Sequence, residues 1–143
     1  MKSLKDYVLS DNPKMVKKMD KILEKNPSTA TYYEAMKSEL ASSGAVEELP
    51  GLGLCVTASY LVVYQMGLGV NVNIFPISSI TNLYRTNVSN NEYDFDAFHL
   101  ALEFESGARI DVARFPRSKK SLTQYDPIIE AVKSRKAAVG GNV

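Results

Sequence analysis

The chain has 143 residues, 45% hydrophobic and 23% charged, with a formal net charge of +1. That length suits one domain with a core large enough to fold without metals or staples, and the composition excludes a disordered chain. A net charge near zero gives no overall field toward nucleic acid or an acidic partner, and the single Cys55 excludes an intrachain disulfide.

Helices are expected first. A short one is expected around Leu4 to Leu9. Asp11-Asn12-Pro13 is a start signal, because proline lacks the N–H that a first helical turn leaves unpaired. Met15, Val16, Met19, Ile22 and Leu23 follow at helical spacing, with Lys17, Lys18, Lys21 and Lys25 on the other side. Asn26-Pro27-Ser28 stops this helix and caps the next, whose stripe is Tyr33, Met36 and Leu40. Ser42-Ser43-Gly44 ends it, with Gly44 free to turn left-handed.

The periodicity then changes. Val46 to Leu49 reads as a short strand, Pro50-Gly51-Leu52-Gly53 as a loop and Leu54 to Tyr64 as one strand. Gln65 to Gly69 turns the chain, and Val70-Asn71-Val72-Asn73-Ile74 alternates with its aliphatic side inward. Pro76 marks a strand end or bulge. Ile77, Ile80 and Leu83 fit a helical turn or a bent strand, Tyr84 to Val88 continues the sheet, and Asn87 to Asp96 is polar and loop-like. Next comes a hairpin. Phe98, Leu100, Leu102 and Phe104 share one face, Ser106-Gly107 turns, and the chain returns with Ile110 and Val112 on one face. Asp126-Pro127 opens a last helix with Ile128, Ile129 and Val132 as its stripe, to about Lys136.

These elements define an α+β chain: a helical subdomain over 1–43, a β domain with its C-terminal helix over 44–138, and a loose tail over 139–143. Met1 to Asp6 lacks the apolar run of a signal peptide, and no stretch reaches the roughly 18 apolar residues of a membrane span, so a cytoplasmic location is expected. Charge is uneven along the chain. Residues 1–43 carry eight Lys and six acids, residues 44–113 two Arg and eight acids, and residues 114–143 seven Lys or Arg and two acids.

Phe75-Pro76-Ile77-Ser78-Ser79-Ile80, the Phe98–Phe104 and Ser106–Val112 hairpin, and the helix Asp126–Lys136 together resemble a pleckstrin-homology-like (PH-like) domain, in particular the bacterial PH-like group of uncharacterised function. The resemblance covers roughly Val46 to Lys136. It implies an antiparallel β-barrel or sandwich closed by the C-terminal helix, and a binding module rather than an enzyme. Phosphoinositide-binding members of the wider family place Lys and Arg around the first strand-to-strand loop. Here that loop, Leu49 to Gly53, has none, so inositol-phosphate recognition does not carry over.

Candidate chemistry is sparse. The basic run Arg114, Arg117, Lys119 and Lys120, with Phe115 inside it, is the best lead for an anionic ligand, although a solvated loop is the simpler account. His99 is the only histidine. It is expected on the solvent side of its strand with Glu103, and it is the residue on which a small enzyme would depend. Cys55 lies in an apolar run and reads as buried and inert. Asn90, Glu92, Asp94 and Asp96 alternate as a set of oxygen ligands would, but the sixth position from Asn90 is Phe95, where a calcium loop of the EF-hand type wants glycine. Pro50 to Leu54 holds a lone G-x-G without the rest of a nucleotide fingerprint. Tyr60, Tyr64, Tyr84, Tyr93 and Phe95 are more simply core or cross-strand partners than a groove. No cofactor or metal is expected. The partner expected is a protein, a peptide or a second copy, docked on an exposed strand edge, and the next reading is an anionic membrane surface met by the 114–120 loop.

Overall fold

The computed structural model describes residues 3–66, 70–89, 92–118 and 123–140, and within them the chain is α+β with antiparallel sheets. Packing divides it into two compact units, Met1–Ile77 and Ser78–Val143.

In the first unit, helices α1 (Leu4–Val8), α2 (Pro13–Lys25) and α3 (Pro27–Ser42) precede β1 (Glu47–Leu49), β2 (Leu54–Val56), β3 (Tyr60–Met66) and β4 (Val70–Pro76), which form one sheet in chain order. The caps follow the expected chemistry. Asn12 Oδ1 accepts from Lys14 N at 2.9 Å, and Asn26 Oδ1 accepts from Thr29 N at 3.3 Å. Gly44 ends α3 with φ of +73°. Tyr33, Met36 and Leu40 are buried as expected. On α2 only Met19 and Ile22 are buried, and Val16 is 44% exposed, so the apolar stripe is narrower than its spacing suggests. These residues share one core with Leu4, Val8, Cys55, Val62, Tyr64, Val72 and Ile74.

The expected single strand from Leu54 to Tyr64 is in fact β2 and β3, paired antiparallel around Thr57-Ala58-Ser59. A side chain distant in sequence holds this turn. Glu39 Oε1 on α3 accepts from Thr57 Oγ1 at 2.7 Å and from Ser59 N at 2.9 Å. Glu48 makes a second such tie. It accepts from Leu4 N at 2.7 Å and from the Tyr64 hydroxyl, so one carboxylate joins α1, β1 and β3. Gly53 has φ of +67°, and a Cβ there would lie 2.0 Å from the Tyr64 carbonyl oxygen, so the second glycine of the G-x-G serves backbone approach. The expected turn at 65–69 begins with Gln65 and Met66 still in β3, and 67–69 lie outside the described residues.

The second unit holds β5 (Ile80–Thr86), β6 (Val88–Ser89), β7 (Glu92–Tyr93), β8 (Ala97–Phe104), β9 (Arg109–Pro116) and α4 (Asp126–Gly140). The sheet order is β5-β8-β9, with β6-β7 as a separate hairpin. No closed barrel is formed among the described residues. The hairpin at Gly107 turns as expected, with φ of +89°. Leu100, Leu102, Ile128, Ile129 and Val132 are buried, and Phe115 meets Tyr125 with ring centroids 4.1 Å apart. Ile110, expected on one face with Val112, is 38% exposed. The register jumps between Leu100 and Ala101, whose partners are Ala113 and Asp111, so Val112 is an extra residue that breaks strict alternation. Helix α4 runs to Gly140, beyond the expected end near Lys136, and 141–143 lie outside the described residues.

Candidate functional site

In the first unit, Lys14, Lys18, Lys21 and Lys25 fall within about 60° of one another around α2, along roughly 16 Å of its axis. Asp20 and Glu24 fall outside that stripe. All four lysines are exposed, and none takes part in an ion pair among the described residues. Like charges at i,i+4 repel one another, so an unneutralised stripe costs the helix a few tenths of a kcal/mol per pair. Beside it opens a cavity of about 340 Å³ lined by Lys18, Lys21, Ile22, Lys25, Asn26 and Asn71. Its charged lining is cationic throughout. Ile22 and the lysine stems supply apolar wall, since a lysine covers surface with its methylenes while its ammonium stays wet.

Two helix ends meet at this groove, because α2 stops at Lys25 and α3 starts at Pro27 with Asn26 as its cap. The negative end of one dipole and the positive end of the other offset each other, which leaves the ammonium groups to set the local potential. Asn26 is already committed: its Nδ2 donates to Asn73 Oδ1 at 3.1 Å. Asn71 is exposed on β4 and its amide is unbonded among the described residues. The β4 edge is covered at Val72, whose carbonyl accepts from the buried Thr29 hydroxyl at 2.6 Å.

In the second unit, His99 is 7% exposed, against the expectation of a solvent-facing residue. The reason lies in a stretch expected to be loop-like: Val88–Ser89 and Glu92–Tyr93 pair as β6 and β7, and Asp94, next in the chain, lies against the ring. His99 Nε2 lies 2.8 Å from Asp94 Oδ2, and Nδ1 lies 3.8 Å from Asp111 Oδ2. Both ring nitrogens face carboxylates, whereas a general base needs one facing its substrate. Glu103, expected on the same face but too far along the strand for a direct neighbour, accepts from the Tyr84 hydroxyl at 3.0 Å. Asp94 also accepts from Arg114 Nε at 3.0 Å and from Asp96 N at 3.1 Å. The Arg114 and His99 hydrogen bonds hold its carboxyl down at about 2. Arg109 pairs with Asp111 at 3.1 Å and donates to the Val88 carbonyl at 2.6 Å.

The basic loop is therefore engaged where it is described. Arg114 holds Asp94, while Arg117 donates to the Phe95 carbonyl at 3.4 Å and lies over the Phe98 ring at 5.5 Å. Lys119 and Lys120 lie outside the described residues, as does Asn90. Of the acidic series, Glu92 and Asp96 are exposed and Asp94 is bound to Arg114 and His99; no three His, Cys, Asp or Glu side chains converge as for a metal among the described residues. Cys55 is fully buried, and burial, with Glu48 nearby, pushes its thiol up and away from the reactive thiolate. Tyr64 is core; Tyr93 and Phe95 are stacked but 65% and 76% exposed.

The lysine groove is the site that sequence reasoning missed. Its signal is present, since positions 14, 18, 21 and 25 form one helical stripe, but a lysine-rich face usually reads as mere solvation. No helix is long and apolar enough to cross a membrane among the described residues. No protein-family model matches the chain, and no curated protein or solved structure matches it.

Proposed function

We propose that the chain is a binding module for an anionic ligand, seated in the groove between α2 and β4. The observation that carries this reading is a lysine stripe without ion pairs beside a cavity with no acid in its lining, among the described residues. Arg109, Arg114 and Arg117 of the second unit give the anionic-ligand reading less support, because Asp111, Asp94 and backbone carbonyls already occupy them. The reading keeps the binding role implied by the PH-like resemblance and does not depend on a closed barrel. Docking of a partner strand has weaker support: the covered β4 edge argues against it, as do the charges and bulge of β9.

The test is salt-gradient elution from a sulfated resin. The Lys18→Gln, Lys21→Gln, Lys25→Gln triple variant is compared with a control carrying the same charge change at Lys5, Lys37 and Lys133. The groove variant is expected to elute at clearly lower salt than the control. Equal elution of the two overturns the proposal, because net charge alone would then account for retention.

A further inference from the structure

We infer that the groove takes a small phosphomonoester, with a dianionic phosphate held by Lys18, Lys21 and Lys25 and an apolar or aromatic body lying over Ile22. This rests on the anion-binding reading and names its ligand class.

Size is the first argument. A cavity of about 340 Å³ is at the lower end of the roughly 300–1,000 Å³ typical of small-molecule sites. It has room for a compact molecule rather than a folded segment. Range of the field is the second. Residues 1–77 carry eight Lys and eight acids, so this unit has no net charge to draw in a long polyanion. Nucleic acid and membrane surfaces are gathered by fields that act over many charges. Here the positive potential is confined to one face of one helix, which suits a ligand with a compact charge.

Charge balance also favours a phosphate. Successive lysines along the groove are separated by about 4.5 and 6 Å of helix rise. Flexible stems let all three ammonium groups converge on one group of phosphate size. A single carboxylate leaves two of the three uncompensated, whereas a phosphate near neutral pH carries up to two charges and three strong acceptor oxygens. The wall contributes too. Ile22 and the lysine methylenes offer apolar contact that a bare inorganic ion cannot use, and the Asn71 amide supplies a neutral donor and acceptor at the rim for the body of the ligand.

The experiment follows amide shifts of the intact chain during titration with three probes at one fixed salt concentration: phenyl phosphate, inorganic phosphate and hexaglutamate. Phenyl phosphate is expected to saturate with shifts centred on residues 18–26 and Asn71, and to bind roughly fivefold to tenfold more tightly than inorganic phosphate. Asn71→Asp places a charge on an already exposed strand position, so the fold should survive while phenyl phosphate binding weakens by about fivefold. Equal affinity for the two phosphates overturns the apolar contact and with it the inference. Binding of hexaglutamate without phenyl phosphate overturns the inference and leaves the anion-binding module standing. Silence of all three probes overturns both, and shifts centred on Arg114 and Arg117 move the site out of the groove altogether.

Discussion

The two units carry cations of opposite fate. In the first, the lysines of α2 are exposed and form no ion pair among the described residues, and the carboxylates Glu39 and Glu48 are turned inward to tie helices to strands. In the second, Arg85, Arg109 and Arg114 are each paired with an aspartate, and His99 lies between two more carboxylate contacts. A dense basic run in a sequence is thus a poor guide to free positive charge. What matters is whether folding brings acids to it: among the described residues an acid pairs with Arg114 and none pairs with Lys18, Lys21 or Lys25.

The glycines sharpen the comparison most. Gly53→Ala in the first unit must place a Cβ on the Tyr64 carbonyl at a left-handed φ, and is expected to cost at least about 3–5 kcal/mol, or to prevent folding. Gly107→Ala in the second unit meets only the backbone penalty, since nothing lies within 4 Å, and should cost about 1–2 kcal/mol. Denaturant midpoints of the two variants check this, and equal costs would break it.

Core truncation comes next. Met36→Ala, at a position with no exposed surface, is expected to cost about 2–5 kcal/mol, whereas Ile110→Ala, on a strand outside the core, should fall within about 0.5 kcal/mol of the parent. Glu39→Ala removes the carboxylate that accepts from Thr57 and Ser59, leaving the Thr57 hydroxyl only a long contact to the Tyr60 carbonyl, and should cost about 1–3 kcal/mol in thermal or denaturant unfolding, with the loss seen in the first unit.

A smaller effect lies in the second unit and depends on pH. The folded carboxyl of Asp94, at about 2, is below its ordinary value. Its pairing therefore stabilises fully above the unfolded carboxyl range near about 4, and is lost as pH falls from there toward the folded value. Arg114→Ala should raise the Asp94 carboxyl in an NMR titration and flatten that part of the stability profile; an unmoved Asp94 titration would detach the two residues. The smallest expected change is a gain. Lys21→Gln removes like-charge neighbours at positions 17, 18 and 25, so the helix should gain a few tenths of a kcal/mol while anion binding falls. A loss of stability would mean that the stripe is not self-repelling.

Local chemistry was legible in the sequence. Asn12 and Asn26 cap because their side chains reach the next turn's N–H groups, Gly44 and Gly107 adopt positive φ because they lack a Cβ, and the stripes Tyr33-Met36-Leu40 and Ile128-Ile129-Val132 bury because helical spacing puts them on one face. Each depends on atoms a few residues apart. The break in periodicity at Ser43-Gly44 likewise marks a change of element, but packing divides the chain at Ile77, since the helices share a core with β2 to β4.

Tertiary structure alone decided what depended on distant partners. The turn that splits Leu54 to Tyr64 is held by a carboxylate of α3, the extra residue at Val112 shifts the strand register, and His99 is buried with Asp94, which follows β7, against its ring. The groove is of the same kind. Its lysines are one stripe in the sequence, but Asn71 on β4 completes the lining, and whether any acid comes near is settled only when the chain has folded. A hydrogen bond or an ion pair acts over a few ångströms in space and is indifferent to separation along the chain, which is why free and engaged charges look alike until the fold is known.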